Sequence, residues 1–328
     1  MTIRPVPLAM PILRTNPEGE PRRVGVELEM SGLDVDHVAA LVAELFNTRI
    51  REDGRYQRIL EGDPAGDWVV ELDFDLLKQL GREKDVSELR RSAEDVLRWF
   101  AEPLVPVELV SPPLPLERLE EIEALIITLR QAGAKGTSDS AAYAFGLQFN
   151  PEIPSAQPAV LTAYLQAFLC LYEWLYERAK INFTRRLTHY IDPFPSEYVR
   201  IVIDPNYRPD LPRLIDDYLF HNPTRNRALD LLPLFTHLDE ARVRAITTDP
   251  LIKPRPAFHY RLPDCEIDLP HWGLHIAWND WMEVEWLATD DARRAACCAA
   301  YSEFLAQPLQ RWLGGGWADE TEKQWLAR

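Results

Sequence analysis

A pair of glutamates in the stretch V-G-V-E-L-E-M, residues 24–30, has a spacing that can do chemistry. If the stretch is a β-strand, successive side chains point to opposite faces, so Glu27 and Glu29 share one face with their stems about 7 Å apart. The pattern recurs in W-V-V-E-L-D-F-D, residues 68–75, and in V-P-V-E-L-V, residues 105–110. The acids of these two further stretches are Glu71, Asp73, Asp75 and Glu108. If the three strands belong to one sheet, one of its faces is largely carboxylate.

Two interpretations of this carboxylate face stay open. Each acid can lie on the solvated outer face of an antiparallel sheet, where apolar and polar residues alternate. Like charges directly opposite one another are destabilising, however, which weakens that interpretation for all the acids together. A cluster of carboxylates with few bases favours a hard divalent cation with oxygen ligands, Mg²⁺ or Mn²⁺, which usually brings phosphates with it. This second interpretation predicts phosphoryl transfer as the chemical class.

A basic segment in the second half of the chain supplies the opposite charge. Lys253, Arg255 and Arg261 lie in L-I-K-P-R-P-A-F-H-Y-R-L-P-D, residues 251–264, around a short apolar strand. These side chains can neutralise phosphate oxygens or a carboxylate substrate, and arginine favours bidentate capture. The alternative is that they are surface charges or ion-pair partners of nearby acids.

The elements that must position these residues follow from the hydrophobic periodicity. Alternation predicts strands over residues 24–30, 68–74, 105–110, 143–150 and 258–262. Helical spacing predicts helices over residues 36–46, 87–100, 116–131, 156–180, 280–287 and 290–305, with shorter pieces at 211–220 and 226–232. We therefore expect an α+β fold in which an N-terminal arm, residues 1–21, precedes a single domain, residues 22–328. Its irregular, proline-rich excursion at about residues 185–256 is expected to face the substrate.

The composition excludes several classes of partner. The chain has 328 residues and a net charge of −16, from 52 acidic against 36 basic residues. A protein this acidic lacks the basic surface that nucleic acids and anionic membranes require. No run approaches the roughly 18 apolar residues of a membrane span, and the N-terminus lacks an apolar signal core. The four cysteines form no C-x-x-C pair, which fits a reducing compartment, so we expect a cytoplasmic protein.

Four motifs resemble, in the same order, those of a known group of enzymes. They are V-G-V-E-L-E-M, P-V-E-L-V-S-P-P-L-P, F-G-L-Q-F-N-P-E-I and R-P-A-F-H-Y-R-L-P-D. In these motifs the chain resembles the amidoligase branch of the glutamine synthetase-like carboxylate–amine ligases, and the first two together carry most of the specificity. The resemblance implies a curved, mainly antiparallel sheet flanked by helices. It also implies that ATP enters one end of this open cup, the acceptor enters the other, and Mg²⁺ or Mn²⁺ is held between them.

The same resemblance implies roles for individual residues. The implied metal ligands are Glu27, Glu29 and Glu108. The implied catalytic residues are Arg261, Lys253 and Asp73. The implied cofactor-binding residues are Gln148, Asn150 and Arg255.

The mechanism that the resemblance implies has two steps. A substrate carboxylate attacks the γ-phosphate of ATP to give an acyl phosphate, and an amine then displaces the phosphate to form an amide. Lys253, Arg255 and Arg261 would stabilise the charge that develops on the transferred group. Asp73 or Glu71 would take the proton from the incoming ammonium. The expected partners are small-molecule or peptide carboxylates and amines, and an oligomer is possible.

Two departures from the family pattern keep other functions open. Gln148 stands where many relatives have a histidine, and His259 stands where they have a glutamate before the closing aromatic-arginine pair. A neutral glutamine can coordinate a metal or bind a nucleotide, but it cannot act as a titrating base. The alternatives are a catalytically lapsed protein that only binds a nucleotide or a peptide, and a metal-dependent hydrolase built on the same acidic sheet.

Overall fold

The computed structural model describes residues 6–72, 106–137, 145–179, 191–307 and 316–327. Its first elements are β1 (Arg23–Met30), α1 (Val35–Phe46), β2 (Arg49–Glu52), β3 (Gln57–Glu61), β4 (Trp68–Leu72), β5 (Val107–Val110), β6 (Leu114–Pro115), α2 (Leu119–Ala132) and β7 (Leu147–Pro151). They are followed by α3 (Pro158–Arg178), α4 (Ser196–Val202), α5 (Leu211–His221), β8 (Leu229–Asp230), α6 (Leu232–Leu238), α7 (Glu240–Arg244), β9 (His259–Tyr260), α8 (Leu274–Thr289), α9 (Asp291–Ala306) and α10 (Trp317–Gln324).

The strands of the described residues form one open sheet. It has nine strands, in the order β2-β3-β4-β5-β1-β7-β9-β8, with β6 paired to β1. All of the strand pairs are antiparallel. The expected α+β class with an antiparallel sheet is therefore confirmed.

Strand β1 lies in the middle of the sheet, between β5 and β7. The alternation in V-G-V-E-L-E-M explains its two-faced character, because period-two spacing separates apolar from acidic side chains. Val24, Val26 and Leu28 are buried on the apolar face. This face is covered by helices, and the opposite face carries the polar residues discussed below.

Helices α3 and α8 cover the apolar face of the sheet through aromatic contacts. Phe149 of β7 packs edge-on against Trp278 of α8, with ring centroids 5.6 Å apart. Tyr260 of β9 packs against Trp281 of α8 at 5.2 Å and against Phe168 of α3 at 5.9 Å. Such aromatic pairs add stability beyond the area they bury, so the strands that carry the polar residues are fixed from behind. Among the described helices, none combines the length and the apolar character needed to cross a membrane.

One expectation about the elements was wrong, and one pair of strands was not predicted. The segment 226–232, predicted to be helical, contains β8, in which Leu229 and Asp230 pair with Tyr260 and His259. Tertiary pairing has here overridden a weak local preference. The hairpin β2–β3 was missed, because all four residues of β2 are exposed and charge replaces an apolar face. The predicted helix 87–100 lies outside the described residues.

The proline-rich excursion contains more regular structure than was expected. Its described part, residues 191–256, contains helices α4 to α7 and strand β8. Helix α5 begins at Leu211 directly after Asp210, whose side chain accepts a hydrogen bond from the backbone N–H of Arg213. An aspartate in this position satisfies an N–H group that the helix itself cannot. Strand β8 joins the excursion to the sheet, and its pairing with β9 places Asp230 opposite His259.

Candidate active site

Glu27 and Glu29 share one face of β1, as their spacing predicts, but that face is buried at this point. The two residues are 9% and 4% exposed, and both carboxylates accept hydrogen bonds from side chains of β7. The interpretation of a solvated outer face is therefore wrong for these two glutamates. A carboxylate taken out of water needs hydrogen bonds or a counter-charge, so its partners define the site.

Glu29 is held by the neighbouring strand β7. Its Oε2 accepts a hydrogen bond from the backbone N–H of Gly146 at 2.7 Å. Its Oε1 accepts a second hydrogen bond from Nε2 of Gln148 at 3.0 Å. Both donors fix the orientation of the carboxylate, and hydrogen bonds to a charged acceptor are stronger than those between neutral groups.

A row of acids crosses three adjacent strands on this face. Glu29 of β1 lies opposite Glu108 of β5, and Glu108 lies opposite Glu71 of β4. Glu71 accepts a hydrogen bond from Nε2 of Gln57 on β3 at 2.6 Å. Glu71 and Glu108 are half-buried rather than buried. The row is thus most enclosed at Glu29 and opens towards β4.

Glu27 connects the acidic row to the basic segment. Its Oε1 accepts hydrogen bonds from Nδ2 of Asn150 at 2.7 Å and from Nη1 of Arg255 at 3.3 Å. Its Oε2 lies 4.0 Å from Nε2 of His259. Gly25 is opposite Asn150, and a Cβ at Gly25 would meet the Cβ of Asn150 at 3.4 Å. The glycine of V-G-V-E-L-E-M therefore leaves space for the amide that holds Glu27.

Gln148 and His259 form a directed chain of hydrogen bonds. Because a carboxylate only accepts, Gln148 points its amide nitrogen at Glu29 and its oxygen at Nε2 of His259, which lies 2.8 Å away. Nε2 of His259 therefore carries the hydrogen of this bond. Nδ1 of His259 lies 3.8 Å from Oδ2 of Asp230. Both ends of the Gln148 amide are engaged inside the site.

Burial controls the charge of His259 and Asp230. It lowers the pKa of His259 well below its usual range, and the positive charges of Arg255, Arg261 and Arg225 act in the same direction. Burial raises the pKa of Asp230 to about 6, although the backbone N–H of Leu232 and the same arginines oppose this shift. Removal from water disfavours the charged form of either group. We therefore expect a neutral histidine beside an acid that titrates unusually high.

The three arginines make one end of the polar face basic. Arg261 is buried and donates a hydrogen bond from Nη1 to the backbone oxygen of Arg225 at 2.5 Å. Arg255 keeps a third of its side chain exposed while its Nη1 contacts Glu27. Lys253 is exposed, and the hydrogen bonds at the site are made by Arg255 and Arg261. The polar face therefore runs from carboxylates on β4 and β5 to guanidinium groups near β8 and β9.

Three acceptor atoms in this cluster are buried without a hydrogen bond. They are Oδ1 of Asn150, Oδ2 of Asp230 and Nδ1 of His259. Most buried polar atoms in proteins have a partner, because an unsatisfied one costs about 1–3 kcal/mol. A ligand that donates N–H groups would satisfy these acceptors.

The predicted site residues are brought together only in part. The structure joins most of them directly or through one neighbour: Glu27, Glu29, Glu108, Gln148, Asn150, Arg255 and Arg261. It leaves Lys253 at the exposed margin. Asp73 lies outside the described residues.

The fit of a divalent cation is tested by the arrangement of the acids. Carboxylate oxygens are the ligands that Mg²⁺ prefers. In the part of the chain that the structure describes, however, no group of three or more His, Cys, Asp or Glu side chains could hold a metal ion. The oxygens of Glu27 and Glu29 accept hydrogen bonds from β7 instead. Metal binding by Glu27, Glu29 and Glu108 therefore stays a prediction.

The predicted site residues did not include two residues of the site, Asp230 and Arg225. Asp230 is fully buried between Leu229 and Leu231. An acid flanked by leucines on both sides is a detectable signal, and Glu108 shows the same pattern between Val107 and Leu109. Arg225 gives no comparable signal, because its role depends on a backbone contact with Arg261.

Comparison with known proteins supports one family. Residues 20–283 match the family model Amidoligase_2, which is described as "Putative amidoligase enzyme". This range contains every site residue discussed above. No curated protein matches the chain, and no solved structure matches it.

Proposed function

Because the chain belongs to the amidoligase family, we propose that it is an ATP-dependent carboxylate–amine ligase that acts through an acyl phosphate. The proposed cofactors are ATP and Mg²⁺ or Mn²⁺. The proposed substrates are a small-molecule or peptide carboxylate and an amine. The family assignment supports a ligase, and the carboxylates and guanidinium groups on the polar face of the sheet support this reaction.

One observation carries the proposal: unsatisfied acceptors and guanidinium groups share one buried cluster. Oδ1 of Asn150 and Oδ2 of Asp230 have no hydrogen-bond donor, and an incoming amine would supply N–H groups to them. Arg255 and Arg261 act on the same cluster, and guanidinium groups bind carboxylate and phosphate oxygens. A site that accepts from an amine and donates to an anion suits the joining of these two substrates.

The proposed reaction balances as two displacements. The substrate carboxylate attacks the γ-phosphorus of ATP and ADP leaves, which gives an acyl phosphate. The amine then attacks the acyl carbon, phosphate leaves, and the nitrogen loses a proton to form the amide. Arg255 and Arg261 would offset the charge on the phosphoryl oxygens, where fixed donors in a water-poor site have their largest effect. Asp73 remains the predicted acceptor of the proton, with Glu71 as the alternative.

The proposal is tested by the dependence of ADP formation on both substrates. The purified protein is incubated with ATP, Mg²⁺ and a panel of carboxylic acids and amines that includes amino acids and short peptides. We expect ADP release that requires one carboxylate and one amine together, and that stops when the divalent ion is chelated. Omission of the ion also tests the predicted requirement for a divalent cation. ATP hydrolysis that is indifferent to both substrates would contradict a ligase.

A charge-neutral substitution tests the site itself. Glu29→Gln keeps the size of the side chain but removes the charge, so we expect turnover to fall by about 10²–10³-fold. The thermal unfolding transition should show that the variant remains folded. Glu44→Gln on the exposed face of α1 is the matched control, and it should retain full turnover. Equal turnover in both variants would remove Glu29 from the proposed site.

A protein that only binds a nucleotide or a peptide is the second candidate function. The observation that favours it is the engagement of both Gln148 amide ends and of both glutamates by protein groups. Isothermal titration of ATP, together with the ADP assay, separates the two candidates. ATP binding without ADP release across the whole panel would support the binding function.

A further inference from the structure

A cavity of about 690 Å³ lies away from the polar face of the sheet. Its walls come from α3, from α9, from the segment 203–209 and from the N-terminal arm, and none of the polar-face residues lines it. Ile12 and Arg208 line it and are exposed, so the cavity opens to solvent. Its volume falls in the range of small-molecule sites.

Two helical stripes of residues line this cavity. The stripe on α9 has the spacing of one helix face and consists of Asp291, Arg294, Ala295 and Cys298. The stripe on α3 has the same spacing and consists of Ala159, Thr162, Ala163 and Gln166. Residues three and four apart are neighbours on a helix surface, so the next position on the α3 stripe is Cys170. Sγ of Cys170 lies 3.6 Å from Sγ of Cys298, so the Cys298 thiol, which lines the cavity, is in contact with a second thiol.

The surroundings of Cys298 are unlike those of an ordinary buried cysteine. The hydrogen bond from Cys170 lowers the pKa of the Cys298 thiol, and the positive charges of Arg294 and Arg208 lower it further against the effect of burial. Cys265 shows the ordinary case, since burial raises its pKa. The thiolate is the reactive form of cysteine, and nearby cations favour it. Cys298 therefore lines the cavity, has two arginines nearby that favour its thiolate form, and is in contact with a second thiol.

We propose that Cys298 is an oxidative modification site for small hydroperoxides that enter the cavity, and that Cys170 resolves it to a disulfide. The thiolate attacks one oxygen of the peroxide and the O–O bond breaks, which gives a sulfenic acid on Cys298. The departing alkoxide or hydroxide takes a proton from solvent and leaves as an alcohol or water. The Cys170 thiol then attacks the sulfenic sulfur, its proton passes to the departing oxygen, and water leaves. The two thiols are oxidised and one peroxide is reduced, so electrons and atoms balance. This site does not depend on the proposed ligase function.

The geometry selects Cys170 as the resolving residue. A disulfide has an S–S bond of about 2.05 Å, so the sulfurs must approach from 3.6 Å, which side-chain rotation and a small helix shift can supply. Cys297 neighbours the pair but does not line the cavity. The bond would join α3 to α9, and it would be reversible by a thiol reductant.

The test treats the full-length protein with dilute hydrogen peroxide under native conditions. Free thiols are counted after denaturation, and disulfides are mapped by mass spectrometry of unreduced peptides. We expect two of the four thiols to disappear together, with a peptide pair that joins Cys170 to Cys298. A first disulfide that contains Cys297 or Cys265 would overturn the proposal, and so would the loss of no thiol before the protein unfolds.

Variants separate the two steps. Cys170→Ser should leave Cys298 as a sulfenic acid that a dimedone probe captures, whereas Cys298→Ser should abolish capture and disulfide formation. Cys265→Ser is the control and should form the same disulfide as the native chain. Arg294→Gln should slow oxidation about threefold to tenfold at neutral pH and move the pH–rate profile upwards, and Arg294→Lys should restore both. Rates that are unchanged in Arg294→Gln would contradict the role of the cation.

Discussion

Two buried carboxylate clusters in this protein differ in how completely they are satisfied. Behind the sheet, Glu285 accepts hydrogen bonds from Arg22 through two nitrogens, at 2.7 and 3.0 Å, and from the hydroxyl of Tyr164 and the indole of Trp281. Arg22 also donates from Nε and Nη1 to the backbone oxygens of Glu152 and Leu13. On the polar face, Asp230 sits beside His259 with one carboxylate oxygen unsatisfied.

The difference in hydrogen bonding indicates different roles for the two clusters. A buried ion pair with complete hydrogen bonding needs nothing further, and it is costly mainly when one partner is lost. A cluster that keeps unsatisfied acceptors beside arginines is stable only because the surrounding sheet enforces it. We therefore expect the first cluster to control stability and the second to control binding and turnover.

The largest expected effect is on stability at the satisfied cluster. Glu285→Ala leaves Arg22 charged and unpaired in a site where its side chain is 1% exposed. We expect the free energy of unfolding to fall by about 3–5 kcal/mol, measured by urea denaturation. Glu303→Ala on the exposed face of α9 is the control and should change it by less than about 0.5 kcal/mol. A small effect at Glu285 would contradict the expectation that the satisfied cluster controls stability.

The next effect is a pH dependence at the unsatisfied cluster. The pKa of Asp230 is about 6 in the folded protein and about 3.9 in an unfolded chain. The folded state therefore binds the proton more tightly, and the stability from this group is present below pH 4 and is lost as the pH rises through 6. Relative to Asp230→Asn, the native chain should lose about 3 kcal/mol of unfolding free energy across that window.

The neighbouring histidine sets the control for this measurement. The lowered pKa of His259 changes the free energy of unfolding in the opposite direction. The stability that His259 contributes is present above its unfolded pKa of about 6.5 and is lost as the pH falls. Taking the difference between the native chain and Asp230→Asn at each pH removes much of this contribution. Asp67→Asn on an exposed turn should follow the native pH curve. A difference that stays constant between pH 4 and 6 would show that Asp230 titrates normally.

The smallest stability effect, with a large effect on function, is expected at Arg255. Its side chain is a third exposed and its contact with Glu27 is long, at 3.3 Å. Arg255→Ala should therefore change the unfolding free energy by about 1 kcal/mol or less. If the ligase proposal holds, the same variant should lower kcat/KM by about 10²-fold. Loss of stability without loss of turnover would contradict the expectation that the polar-face cluster controls turnover rather than stability.

The alternation of residues along strands made part of the site predictable. Period two placed Glu27 and Glu29 on one face, whereas Gln148 and Asn150 were named through the resemblance to the family. Prediction failed where the structure depends on pairing rather than on period. Asp230 enters the site only because a two-residue strand pairs with β9, and a run that short has no periodicity of its own.

Pairs that are distant along the chain were equally hidden from sequence reasoning. Arg22 and Glu285 are 263 residues apart, and nothing in either local sequence indicates the other. The Gln148–His259 bond joins residues 111 apart, although both residues had been noted as departures from the family pattern. Sequence periodicity reports which face a residue occupies, but not which residue it meets there.

The central position of β1 has a consequence for how the protein is made. The amides that hold Glu29 and Glu27 lie 119 and 123 residues further along the chain. At a synthesis rate of about 5–20 residues per second, β1 leaves the ribosome roughly 6–25 seconds before β7 exists to pair with it. During that interval the two glutamates stay hydrated and the apolar side of β1 lacks its cover. The centre of the sheet therefore stays incomplete until a partner strand that lies more than a hundred residues further along the chain has been made.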